Sequence, residues 1–176
     1  MKKNRGFTLI ELVVVIVILG ILAVTAAPQF LNLQDDAHKS RADGVFSAFT
    51  AAVNMYHGAW ILQGEPSASS GVGVIFSNET IYPSNEGFPL GTTHEGQITG
   101  EGCGELWNAL LNQDLTIEPY NTFTNINADI QYGYTNSGEC FYSYVSDYNN
   151  GTSTGNELFY SPSTGETYVK PYNKSK

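Results

Sequence analysis

The first third of the chain contains two hydrophobic patterns in succession. Residues 9–27 are apolar apart from Glu11, Gly20 and Thr25, and at about 1.5 Å per residue they give a helix of roughly 28 Å, close to the ~30 Å hydrocarbon core of a bilayer. The second pattern repeats at spacings of three and four, as in an amphipathic helix: Ala42, Val45, Phe46, Phe49, Ala52, Val53, Tyr56 and Trp60. We predict one helix from Phe7 to about Leu62, roughly 80 Å long.

The rest of the sequence predicts a head that contains a β-sheet. Residues 63–127 are rich in Gly, Ser, Asn and Pro and predict a long, partly irregular connection with one short helix at Glu105–Leu111. Residues 128–176 alternate with period two in four runs separated by turn signals, which predicts an antiparallel β-meander. The fold class is therefore α+β: a long N-terminal helix, half of it protruding, packed on a four-stranded antiparallel sheet.

Charge is distributed unevenly along the chain. Lys2, Lys3 and Arg5 precede the apolar run, whereas no Lys or Arg occurs from Ala42 to Val169, a stretch with fourteen acidic residues. Basic residues before the run and none within it place the N-terminus in the cytoplasm and the head outside. The acidic head repels phosphate, so direct nucleic-acid binding is disfavoured.

The two cysteines, Cys103 and Cys140, both lie in the head. Disulfides persist outside the cytosol. A disulfide between these two cysteines would close a loop of roughly 37 residues, which the chain-entropy model values at roughly 4 kcal/mol of stability. We predict a disulfide that bounds the C-terminal region; two unpaired, buried thiols are the alternative.

Glu11 is the unusual residue of the apolar run. A carboxylate in such a helix costs about 2.5 kcal/mol or more unless it is paired, and the run contains no Lys or Arg. We therefore expect its partner to come from a chain end or another molecule. Cleavage after Gly6 would create an amine at Phe7, one helical turn away. Two alternatives remain. In one, the apolar run is a secretory signal that is cut near Ala23–Ala27. In the other, Glu11 has no partner and its carboxylate reaches the membrane interface.

The residues around Gly6 carry a resemblance to a known family. Residues 5–11, Arg-Gly-Phe-Thr-Leu-Ile-Glu, and the Val/Ile/Leu run after them resemble the prepilin signature of type IV pilins. Residues 23–37 resemble more narrowly the mannose-sensitive haemagglutinin pilins of marine Gram-negative bacteria. The resemblance implies the type IV pilin fold, with residues 1–6 as leader, 7–28 as the transmembrane and filament-core helix, and 29–176 as the head.

The resemblance also implies how the chain is processed and assembled. A membrane prepilin peptidase would cut after Gly6 and N-methylate Phe7, and Glu11 would pair with a neighbour's Phe7 amine. An inner-membrane platform with a cytoplasmic ATPase would polymerise identical subunits from the inner membrane into an extracellular filament that attaches to host or abiotic surfaces. Gly20 and Pro28 weaken the helix, where related pilins lose helical order; a static kink is the alternative reading.

No catalytic motif occurs in the sequence, and no cofactor or metal is expected. His38, His57 and His94 are isolated and are interpreted as surface residues. The stretch from Asp147 to Glu157 resembles a calcium loop in composition but fails the EF-hand pattern, so we interpret it as a hairpin loop.

The leading hypothesis is a structural one, the major subunit of a type IV pilus. A type II secretion pseudopilin shares the N-terminal signature, but the cysteine pair favours a subunit exposed outside the cell. A minor pilin with a ligand-binding role is a third possibility, and an enzyme is the remotest.

Overall fold

A computed structural model of the chain describes residues 7–93, 96–120, 128–145 and 154–173. It divides into two units, residues 1–39 and 40–176, and helix α1 (Leu9–Leu62) contributes to both. After a 3-10 turn at Ala68–Ser70 come β1 (Val74–Phe76), β2 (Glu79–Pro83), β3 (Pro89–Gly91), α2 (Gly100–Leu110), β4 (Ile117–Pro119), β5 (Ile130–Tyr134), β6 (Cys140–Tyr144), β7 (Thr154–Tyr160) and β8 (Thr167–Asn173). The α+β class is confirmed.

The main sheet of the second unit has five strands in the order β4-β5-β6-β7-β8. Strands β5 to β8 form the predicted antiparallel meander, in which Ile130 pairs with Tyr144 and Leu158 with Val169. The prediction of four strands missed β4, which adds in parallel to β5. Because β4 is only three residues long, it shows no periodicity.

Residues 74–91 form a second, three-stranded sheet, β1-β2-β3. The prediction of an irregular connection was therefore wrong here. Its strands have three to five residues, too short for alternation to register. The connection between β1 and β2 is a two-residue turn in which Ser77 and Asn78 both have positive φ, 49° and 69°, as a tight hairpin requires.

Helix α2 begins at Gly100, five residues before the predicted start at Glu105. Its N-cap is Thr99, whose hydroxyl oxygen accepts a hydrogen bond from the Gly102 amide at 3.0 Å. The glycines of its first turns hid this start, since glycine disfavours helix. Gly104 has a packing reason: a Cβ there would lie 2.4 Å from the Tyr132 ring.

The core of the second unit forms around the amphipathic half of α1, as predicted. Phe46, Phe49, Val53 and Tyr56 are buried. The Phe49 ring lies in an aromatic cluster, with centroids 5.5 Å from Trp107, 5.0 Å from Tyr142 and 5.7 Å from Tyr160. These rings come from α2, β6 and β7, so one helix position joins three other elements.

Three buried tyrosines of the core each donate a hydrogen bond to a backbone carbonyl. Tyr56 donates to Ile81, Tyr142 to Cys103 and Tyr160 to Pro89, at 2.8 to 2.9 Å. Burial raises the pKa of all three hydroxyls. They therefore remain neutral donors, which satisfies the polar tip of each large side chain.

Candidate assembly site

The N-terminal part of α1 is apolar and exposed. Residues Leu9–Ala26 have a mean hydropathy of 3.0 with none of the span buried, and the helix is long and apolar enough to cross a membrane. The exposed fractions of its large apolar side chains range from 43% at Val13 to 80% at Leu9. The hydroxyl of Thr25 donates to the Leu22 carbonyl at 3.0 Å, so this polar group is satisfied within the helix.

Glu11 lies in the first turn of α1 and has partners in its own chain. One carboxylate oxygen, Oε2, accepts hydrogen bonds from the Thr8 amide at 2.9 Å and from the Thr8 hydroxyl at 2.7 Å. The Glu11 amide in turn donates to the Thr8 hydroxyl oxygen at 3.4 Å. Thr8 is thus the N-cap and Glu11 the third helical residue of a reciprocal capping box.

The expectation that the partner of Glu11 must come from a chain end or another molecule was therefore wrong in one respect. A neutral partner, Thr8, already binds one oxygen of the carboxylate. The signal was present in the sequence as Thr-x-x-Glu before an apolar run. The position also favours the acid, because the N-terminus of a helix carries partial positive charge.

The other residues predicted for this segment are only partly described. Gly6 lies outside the described residues, whereas Phe7 is 87% exposed. The helix runs without interruption through Gly20 and Pro28. A Cβ at Gly20 would meet no atom of another part of the described chain within 4 Å, so this glycine has no packing role among the described residues.

The predicted disulfide is confirmed. Cys103 on α2 and Cys140 on β6 are bonded, with their Cα atoms 5.6 Å apart, and both residues are buried. Tyr142, two residues after Cys140, also donates to the Cys103 carbonyl. Helix α2 is therefore fixed to the sheet by a covalent bond and a hydrogen bond.

The remaining candidates do not form a site among the described residues. His57 was interpreted as a surface residue, but it is half-buried and stacks on Trp60 and Phe88 at 5.2 and 4.4 Å. His38 is also only half-exposed, and His94 lies outside the described residues. Within the described ranges no group of His, Cys, Asp and Glu is arranged to hold a metal ion.

The calcium candidate is described only at its end. Residues 146–153 lie outside the described residues, and Glu157 is buried on β7. The Ser143 hydroxyl on the neighbouring strand donates to a Glu157 carboxylate oxygen at 2.6 Å. Glu157 is thus engaged in a cross-strand hydrogen bond of the sheet.

Comparison with known proteins relates the chain to fimbrial proteins and to type II secretion proteins. A model of the prokaryotic N-terminal methylation motif matches residues 1–27. A type II secretion system core protein G of Pseudomonas aeruginosa is 47% identical over 55 residues, 31% of this chain and 39% of that protein. A fimbrial protein of Pseudomonas aeruginosa is 32% identical over 118 residues, 67% of each chain. A type IV narrow pilus major component of Thermus thermophilus is 48% identical over 50 residues, 28% of this chain and 43% of that protein.

The matched part of this chain thus spans from 39% to 67% of the length of these relatives. No solved structure matches the chain.

Proposed function

This chain belongs to the family of type IV pilins and type II secretion pseudopilins, structural subunits rather than enzymes, and we propose that it is the major subunit of a type IV pilus. Within the family we propose a pilus of the mannose-sensitive haemagglutinin kind, used for attachment to host or abiotic surfaces. This finer proposal is based on residues 23–37 alone.

The observation that carries the proposal is the exposure of the apolar span. Side chains of Leu9–Ala26 make a continuous hydrocarbon surface that the described chain leaves uncovered. A single fully buried Val, Leu or Ile contributes about 1.5–3 kcal/mol, so a run of them provides a large driving force for burial. We propose that the inner membrane covers this surface in the precursor and that identical helices cover it in the filament.

Processing prepares the chain for that exchange. We propose that a prepilin peptidase cuts after Gly6 and N-methylates Phe7, and that an inner-membrane platform with a cytoplasmic ATPase moves the subunit out of the membrane. The cut removes Lys2, Lys3 and Arg5, so the charges that hold the precursor's N-terminus in the cytoplasm are lost.

Glu11 then sets the axial register of the filament. Its Oε2 is held by Thr8 within the same helix, which fixes the direction of the carboxylate before assembly. The Phe7 amine of a neighbouring subunit would add a charge-assisted bond, which is stronger than a neutral one. A subunit displaced along the filament would leave this acid with Thr8 alone in apolar surroundings.

The same part of α1 can account for extensibility. Gly20 and Pro28 weaken a helix by about 1 and about 3 kcal/mol relative to alanine. Neither residue ends the helix, since α1 continues through both. We propose that lengthening of the filament under load begins between them.

The range of the alignments supports a pilus subunit. The fimbrial relative matches 67% of the chain, which reaches well into the head, whereas the type II secretion relatives match from 31% to 52% of it. The disulfide in the head also suits a subunit exposed outside the cell. A type II secretion pseudopilin is the second candidate, favoured by the 47% identity of a secretion relative over 55 residues. A minor pilin is the third.

Filaments sheared from cells distinguish these candidates. Electron microscopy should show long surface filaments, and mass spectrometry of their main protein band should identify this chain beginning with N-methylated Phe7. Long filaments in which this chain is a trace component would indicate a minor pilin. Their absence, together with loss of protein secretion on deletion of the gene, would indicate the pseudopilin.

Two substitutions separate the intermolecular partner of Glu11 from the local one. Glu11→Val should leave a cleaved, membrane-inserted protein that assembles poorly or not at all. Thr8→Val removes only the local hydroxyl and should assemble, with a helix start weakened by about 0.5–2 kcal/mol. Normal filaments from Glu11→Val would overturn the charge-pair account.

A further inference from the structure

The head contains an open cavity of about 660 Å³ at the edge of the main sheet, beside the first turn of α2. Its wall is aromatic: Tyr120, Tyr132, Tyr134 and Phe141 line it, and Glu101 is the one charged side chain among the described lining residues. A volume of this size, mostly apolar walls and one polar group are the features of a small-molecule site.

A short strand leaves the space, and a glycine lets an aromatic ring line it. Strand β4 ends at Pro119, so β5 continues past it at Gly133 and Tyr134. Because Gly133 has no side chain, the Phe141 ring lies directly against it and forms part of the wall; a Cβ there would be 2.4 Å from that ring.

Packing holds three of the aromatic rings in place. Tyr132 rests against Gly104 of α2, where even a methyl group would collide with the ring. Tyr120 meets Phe141 edge to face with centroids 5.6 Å apart, and its amide donates to the Tyr132 carbonyl at 2.6 Å. The wall is therefore largely preformed, which reduces the entropic cost of binding.

Glu101 gives the wall of the cavity a negative charge. Burial, with the charges of Glu101 and Glu105, raises the pKa of the Tyr132 hydroxyl. None of the described lining residues is a Lys or Arg; Lys170 lies farther along the sheet, with its ammonium group over the Phe159 ring at 5.0 Å. The N-terminus of α2 contributes only about half a positive charge, less than the two carboxylates. An anionic ligand would meet repulsion here, whereas a cation with an apolar body would meet both negative charge and aromatic faces.

We propose that this cavity binds a small organic cation of the quaternary ammonium class, with the aromatic rings around its methyl groups and Glu101 facing its charge. Aromatic faces attract such cations through the ring quadrupole. The inference concerns the head alone and holds for a pilus subunit and for a pseudopilin.

The test is a calorimetric titration in which choline chloride is added to the full chain in detergent micelles. An uncharged isostere, 3,3-dimethylbutanol, has the same shape without the charge. The trimethylammonium group also occurs in phosphocholine headgroups, so phosphorylcholine is measured in a second arm. Choline should bind more tightly than the isostere by about threefold to tenfold, and added salt should weaken its binding.

Variants locate the site. Glu101→Gln and Tyr134→Leu should each weaken choline binding by about threefold to tenfold, and both side chains are exposed enough for the head to fold. Tyr134→Phe keeps the ring and should keep the affinity, as should Glu166→Gln, which removes an exposed carboxylate outside the cavity.

The outcomes are decisive either way. Choline binding that depends on Glu101 and Tyr134 supports the site; phosphorylcholine binding in addition assigns the headgroup as a source, and its failure assigns the free cation. Equal binding of choline and the isostere, undiminished choline binding by Glu101→Gln, or no heat with choline would overturn the proposal.

Discussion

The two halves of α1 place large apolar side chains in opposite surroundings. Ile16 and Leu19 in the first half are 57% and 58% exposed, whereas Phe46 and Phe49 in the second are buried. The second half has a stripe at spacings of three and four, and the sheets and α2 cover that stripe. The first half contains the span Leu9–Ala26, which is apolar apart from Glu11, Gly20 and Thr25 and has no buried part.

The difference shows what each half contributes. Burial of the amphipathic half stabilises the fold of the head, because the residues that cover it lie in the same chain. The apolar half can be buried only in another phase or against another molecule, so its hydrophobic free energy is available for membrane insertion or assembly. One helix thus combines a folding element and an assembly element.

The largest effect is expected from the same kind of substitution made in each half. Phe49→Ala removes the ring that joins α1 to Trp107, Tyr142 and Tyr160, and should lower the free energy of unfolding of the head by about 3–5 kcal/mol. Ile16→Ala should leave that free energy unchanged. Urea unfolding of the full chain in micelles, followed by tryptophan fluorescence, measures both.

The reverse result would break the comparison. If Ile16→Ala destabilised the head as much as Phe49→Ala, the first half of α1 would be contributing to the fold of the head. Carbonate extraction checks that the Ile16→Ala variant is still produced and inserted in the membrane.

The disulfide should give the next largest effect, and again in the head alone. Replacement of Cys103 and Cys140 by alanine removes a cross-link over 37 residues, and should cost about 2–4 kcal/mol. The urea midpoint of the unmodified chain should fall on reduction with dithiothreitol, whereas that of the double variant should not respond. Hydrogen exchange in Leu9–Ala26 should be the same in the unmodified chain and in the double variant. Faster exchange in the double variant would show that the span depends on the head.

The parts of the fold that repeat over many residues could be predicted from the sequence. The stripe from Ala42 to Trp60 and the period-two runs of β5 and β6 each extend over enough turns or positions to be recognised. Elements of three residues, such as β1 and β4, cannot show a period. Helix α2 was missed at its start because glycine propensity opposes it, and tertiary packing of Gly104 on Tyr132 overrides that propensity.

The candidate site was partly predictable because some of its interactions are between near neighbours in the sequence. The cost of Glu11 in an apolar run led us to predict an assembly role, which stays a prediction. Its hydrogen bonds with Thr8 follow a short Thr-x-x-Glu motif that was overlooked. The cavity beside α2 was not predictable, because it depends on tertiary contacts. The parallel pairing of β4 with β5 brings Tyr120 near Tyr134, and the packing of α2 on Tyr132 of β5 adds Glu101.

The smallest effect, but the sharpest comparison, comes from glycine to alanine substitutions in helices. Gly20→Ala should stabilise its helix by up to about 1 kcal/mol, because an added Cβ meets no atom within 4 Å. Gly104→Ala should destabilise α2, since its Cβ would lie 2.4 Å from the Tyr132 ring and overpacking costs about 1–3 kcal/mol. Hydrogen exchange around residue 20 and urea unfolding of the head measure the two changes.

Gly44 decides whether contacts or location cause the difference in sign. It lies in α1 within the second unit, but a Cβ there also meets no atom within 4 Å. If contacts decide, Gly44→Ala should behave like Gly20→Ala and raise stability by a fraction of about 1 kcal/mol. If Gly44→Ala instead destabilised the head like Gly104→Ala, the exposed face of α1 would be under a constraint within the head, and the division between a folding half and an assembly half would have to be redrawn.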